Sequence, residues 1–234
     1  MSAIYKRELH SYLTSAIGYA FIALFFAVSG GVFVYTTLYS GTANPGNYYT
    51  YMLVFFVILL PILTMKSFSE ERKLRTEQLL MTAPVSIPAM VTAKFLAAMT
   101  IFSACTLFCS CSFLFLTKYA TVRAATVFGN LIAILLVGGA FIAIGLFVSA
   151  LTENQLAAAI GTVGIILLFF VVSALNRFIP VYWIRFVLSG VSIFSRFGNF
   201  TQGAFDFSAL LYYLSVMVVF LLLTGRVYDR RRYR

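Results

Sequence analysis

The chain is short of almost everything a soluble enzyme uses. Its 234 residues contain one histidine, seven Asp and Glu, three cysteines and five prolines, and only 10% of its side chains are charged. With His10 as the single imidazole, one chain can build neither a His-based metal site nor a Ser-His pair. Cys105, Cys109 and Cys111 all fall in one apolar run with no thiol elsewhere to pair with, so they read as small buried hydrophobes. There is no G-x-x-x-x-G-K-[ST] phosphate loop, no H-E-x-x-H and no G-x-S-x-G, and no nucleophile–base set or metal set that an intramembrane enzyme would need. If the protein does work, the energy enters from a partner.

What is abundant is apolar. Hydrophobic residues make up 62% of the chain, with 25 Phe and 14 Tyr, and the mean hydropathy is +0.96. Repeated nearly uncharged runs of about eighteen residues or more indicate membrane-spanning helices, because barrel strands alternate over about ten. The fold class is an all-α polytopic membrane protein with six transmembrane helices. The net charge of +10 then reads as topology, since cytoplasmic loops collect Lys and Arg, and nucleic acid is not the expected partner.

Residues 1–16 form an interfacial helix, with Tyr5, Leu9, Tyr12, Leu13 and Ala16 on one face and Lys6, Arg7 and His10 elsewhere. The apolar run 17–39 is longer than a typical signal-peptide core and is the first span. An uncharged turn with Gly41, Asn44, Pro45 and Gly46 leads to span two, 48–65, opening on interfacial Tyr48, Tyr49 and Tyr51 and bent by Pro61. Residues 66–94 are a charged hairpin expected in water or against another protein. It holds five of the seventeen basic residues and three of the seven acids.

Within it, Ser67 and Glu70 fit a capping box, Glu71–Arg75 and Lys73–Glu77 fit i,i+4 pairs, and Leu74, Gln78 and Met81 share another face. The helix should end before Pro84. Ser86 then caps a helix, with Pro88 in its first turn, that runs through Lys94 into span three, ending near Thr117. Span four, 126–150, carries the small-residue pairs Gly139/Ala143 and Gly145/Ser149, which suit close helix contact within one subunit or between two.

Span five covers 156–175. The outer segment 176–206 is aromatic, and Trp183, Phe186, Phe194 and Phe197 interspersed with Arg177, Arg185 and Arg196 indicate re-entrant or interfacial helices rather than a free loop. The last span, 208–225, leads into a basic tail, 226–234, suited to anionic headgroups and open to partner contact as well. Placing both termini and the hairpin inside leaves twelve basic residues inside and only Lys118, Arg123, Arg177, Arg185 and Arg196 outside. No ionisable residue falls well inside any span, which argues against an ion-coupled transporter.

Glu70-Glu71-Arg72, Thr76-Glu77, Leu79-Leu80 and Pro84-Val85 resemble the ER-(x)n-TxExLLxxPV stretch after the second span in permease subunits of type 2 ATP-binding cassette (ABC) transporters, the export class. The N-terminal YKRELHSYLTSAIGY, the six spans and FSRFGNFTQGAFDF before the last one are similar to that family too, and the short chain looks most like its gliding-motility type permeases. Many members have Gly where this chain has Arg75, and Pro where it has Ala16.

The resemblance implies a permease subunit in the plasma membrane that couples ATP hydrolysis on a separate ATPase to substrate movement. ATP and Mg would sit on that partner and no cofactor on this chain. Two copies of the ATPase and a second permease, identical or related, would complete the assembly. It implies a coupling helix between spans two and three, with Glu70, Glu71, Arg72, Thr76, Glu77, Leu80 and Pro84 facing the ATPase. A non-transporting membrane anchor or mechanical transducer for an ABC ATPase is the alternative. An apolar path of Phe, Leu and Ile suits amphipathic cargo and equally a dimer seam.

Overall fold

The computed structural model describes residues 2–42, 44–76, 86–116, 124–175, 193–194, 196–198 and 206–232. Among them there is no strand. Helix α1, Ser2–Thr14, is followed by α2, Ala16–Phe33, which winds on as a π-helix through Tyr39. Then come α3, Pro45–Lys73; α4, Ile87–Ser110; the short α5, Ser112–Leu116; α6, Ala124–Leu151; α7, Gln155–Leu175; and α8, Phe207–Arg232. Six of these, α2, α3, α4, α6, α7 and α8, are long and apolar enough to cross a membrane.

Local chemistry sets the boundaries. Ser15 breaks α1 from α2 and accepts a hydrogen bond from the Gly18 N–H, 3.2 Å. A Cβ on Gly18 would collide with the Tyr12 carbonyl, so only glycine permits this corner. Asn44 accepts from the Gly46 N–H and Pro45 fills the first turn of α3, three residues earlier than the sequence reading placed the span. Ser86 occupies the cap position of α4, although its hydroxyl makes no capping bond.

Helix α6 is the central post. Its most apolar stretch is 72% buried, against 17% for α7 and 22% for α8, so those two turn apolar side chains such as Leu168, Val171, Val218 and Leu222 outward, as lipid or a second subunit requires. The small residues of α6 are used within the subunit. A Cβ on Gly145 would meet Thr64 of α3, one on Gly138 would meet Phe102 of α4, and one on Gly139 would approach Met217 of α8 at 2.7 Å.

Several expectations are corrected. Ser67 is not a cap: α3 continues unbroken from Pro45 to Lys73, because nothing at Ser67 interrupts the ladder and the following acids pair with cations of the same chain. Tyr48 and Tyr49 turn inward rather than lying at the surface. They bond Ser29 at 2.7 Å and Ser110 at 2.8 Å inside an aromatic cluster with Phe33 and Phe113, and only Tyr51 stays exposed. Cys105 and Cys109 are buried, whereas Cys111, in the turn that ends α4, is exposed. Most of 176–206 lies outside the described residues; where it is described, Phe194 packs on Phe141 and Phe170, and the Ile193 carbonyl accepts from Tyr213 at 2.7 Å.

Candidate functional site

An ammonium on an apolar helix must find acceptors or lose its charge. Lys94, two turns into α4 and with no exposed side-chain surface, finds three. Its Nζ lies 3.1 Å from Glu8 Oε1 and 3.0 Å from Glu71 Oε1, and donates to the Ser67 carbonyl at 2.9 Å. The three donors of the ammonium are thereby met by α1 once and α3 twice. The Phe68 ring lies beneath it at 4.9 Å. Arg7 Nη2 bridges the same two carboxylates, 2.8 Å from each, so two cations balance two anions.

Burial depresses the Arg7 guanidinium, but Glu8 and Glu71 outweigh it and hold the group above its ordinary value. Burial, with Glu8 nearby, pushes the Tyr12 hydroxyl well above the usual phenol range, so it stands as a neutral donor beside the cluster. Tyr5 ties α1 to α4 a second time through Thr100, 2.9 Å. The stripe of α1 that enters the protein is thus Ile4, Glu8 and Tyr12, with Tyr5 and Leu9 flanking and Leu13 left out.

Two further anchors hold the same end. Ser149 of α6 accepts from the N–H groups of Phe68 and Ser69, 3.1 Å each, and donates to the Met65 carbonyl at 3.2 Å, tying α6 to the backbone of α3. Arg72 pairs with Glu153 at 2.8 Å and donates to the Leu151 carbonyl, while Arg231 donates to the Ala150 carbonyl, so the α6–α7 turn is gripped from α3 and α8.

Of the residues singled out from the sequence, Glu70 pairs with Lys66, Glu71 with Lys94 and Arg7, and Arg72 with Glu153. The segment is charged without being solvated throughout, because its acids turn onto the chain's own cations. Thr76 closes the end of α3: its N–H reaches the Glu71 carbonyl at 2.9 Å and the Arg75 N–H reaches Arg72 at 3.1 Å, with Arg75 at φ +58°. This is a Schellman end, and its left-handed residue is the position where similar permeases carry Gly. The proposed Glu71–Arg75 pair is absent because Arg75 has left the helix. Glu77, Leu80 and Pro84 lie outside the described residues, as do the Lys73–Glu77 pair, Gln78 and Met81.

Glu8 and Lys94 were missed as a pair. Two signals were present: Lys94 within an apolar run, and Glu8 at the i+4 position between Ile4 and Tyr12. A cavity of about 500 Å³ opens beside the cluster, between α1 and the end of α3. Among the described residues no cluster of His, Cys, Asp and Glu could hold a metal ion.

Six helices long and apolar enough to cross a membrane, with ion pairs joining α1, α3 and α4 at one end, define a polytopic helical membrane protein. The chain belongs to the ABC-2 family transporter proteins, whose family model matches residues 33–226, and is therefore a membrane subunit of an ABC transporter. Membership carries with it, in general, an ATPase partner and a dimeric arrangement. Helix α1, with Arg7 and Glu8, lies ahead of the matched region. No curated protein matches the sequence.

Proposed function

We propose that this subunit is an export permease of the plasma membrane with both termini in the cytoplasm, moved by an ATPase that docks on the turn after α3. Glu70, Glu71, Arg72, Thr76, Glu77, Leu80 and Pro84 form the coupling region in this reading, with ATP and Mg on the ATPase and none on this chain. The carrying observation is Glu71. It belongs to the stretch that resembles a coupling helix, and it is ion-paired to Lys94 at 3.0 Å and to Arg7 at 2.8 Å. Displacement of the end of α3 would therefore pull α1 and α4 together.

The division of labour is testable. Lys73, Leu74, Arg75 and Thr76 are exposed and can meet a partner, whereas Glu71 is mostly turned inward. Lys73→Glu with Arg75→Glu should weaken co-purification of the co-expressed ATPase. Glu71→Gln should keep co-purification and lower ATP-dependent substrate movement in vesicles. Unchanged co-purification of the charge-reversed pair would sink the docking assignment.

A further inference from the structure

Helix α8 outlasts its apolar run. The hydrophobic stretch ends near Gly225, yet the helix continues to Arg232, and the basic segment it enters is not polar all round. Thr224, Tyr228 and Arg231 follow one another at helical spacing; the first two are buried and Arg231 is partly covered, while Arg226, Asp229 and Arg230 are exposed. The inward stripe packs on protein. Tyr228 meets Phe68 of α3, ring centroids 5.0 Å apart and tilted by 39°, and Arg231 donates to the Ala150 carbonyl of α6 at 2.8 Å with its guanidinium 5.5 Å from the Tyr228 ring.

Phe68 has no exposed surface, and it is the ring that lies 4.9 Å from the Lys94 ammonium. The charge knot of α1, α3 and α4 and the inner end of α8 therefore share one side chain. The contact is singular in the bundle: α3 and α8 both pack on α6, but their backbones approach each other almost nowhere. A protein interior is close-packed and poorly compressible, so neither buried ring can shift without displacing the other.

We propose that Phe68 and Tyr228 are positioning residues that pass displacement of the end of α3 to the last span, so that α8 moves together with α4 when the ATPase acts. The input at the end of α3 rests on the coupling reading above; the last span is added as an output.

Distances between spin labels in the full-length protein, co-purified with its ATPase, test this. In a background with the three cysteines replaced, a label at Thr42→Cys, in the turn at the far end, is paired with one at Leu96→Cys on α4 or at Leu222→Cys on α8, all exposed positions. AMP-PNP with Mg should shift both distances. Tyr228→Leu should keep the α4 shift and lose most of the α8 shift, and Tyr228→Phe, which retains the ring, should keep both. A residue that only stabilises the fold would lower the melting temperature without separating the two distances. Should Tyr228→Leu fail to fold, Phe68→Leu, made on the α3 side of the contact, should lose the α8 shift in its place. If neither distance shifts before Tyr228 or Phe68 is changed, the coupling reading falls and this proposal with it. A shift at α4 with none at α8, or an undiminished α8 shift in folded Tyr228→Leu, would overturn the proposal alone.

Discussion

Lys94 and Glu8, 86 residues apart in the chain, meet at 3.1 Å in a site that excludes water from the ammonium. The contact fixes the helix ahead of the first span to the base of the third, and Glu71 brings the end of the second span into the same knot.

Breaking one member of this knot should cost more than removing it. Lys94→Met strands two nearby carboxylates with only a half-exposed Arg7, and should destabilise the purified protein by about 3–5 kcal/mol. Lys94→Met combined with Glu8→Gln and Glu71→Gln should recover a large part of that loss. Thermal or denaturant unfolding in detergent reads both, and a triple variant less stable than the single one would contradict the charge-balance account.

Arg75 holds a left-handed conformation that costs a side chain with a Cβ on the order of 1–2 kcal/mol and costs glycine little. Arg75→Gly should therefore raise the melting temperature, and Arg75→Val should lower it. A destabilised glycine variant would mean that the Schellman end does not govern the stability of α3.

The six spans were legible because hydrophobic length is a local property that the bilayer reads directly, although α3 runs on to Lys73, past the expected end of span two, and α4 stops at Ser110, short of Thr117. The family was legible from the stretch between Glu70 and Val85, where residue types recur at fixed spacing. The electrostatic plan was harder to see. The sequence reading placed 66–94 in water or against another protein, because nothing local to Glu71 or Lys94 reveals that they pair with each other and with Arg7 and Glu8. Tyr48 and Tyr49 misled for a related reason: interfacial tyrosine and buried tyrosine look alike until Ser29 and Ser110 are seen to supply hydrogen-bond partners. Arg75 stood out as a departure from similar permeases, but only its φ of +58° explains why glycine fits there.

Helix α6 should be intolerant of bulk at Gly145 because Thr64 of α3 occupies the space a Cβ would take. Gly145→Ala should cost about 1–3 kcal/mol by overpacking. Thr64→Ala, made in the same background, should relieve part of that cost, giving a coupling energy of opposite sign to the single effects. Gly164→Ala, where nothing lies within 4 Å, is the control and should leave unfolding nearly unchanged.

Orientation can be tested with two exposed positions at opposite ends of the bundle. Lys6 lies on α1, beside the charged base, and Thr42 lies in the turn between α2 and α3 at the far end. In a background with Cys105, Cys109 and Cys111 replaced by serine or alanine, Thr42→Cys should react with a membrane-impermeant maleimide on intact cells, and Lys6→Cys should react only after permeabilisation. The expectation follows from the twelve-to-five distribution of basic residues, which puts the α1 end inside. The reverse labelling pattern would place the knot, and the turn after α3, on the wrong side of the membrane for an ATPase that uses cytoplasmic ATP.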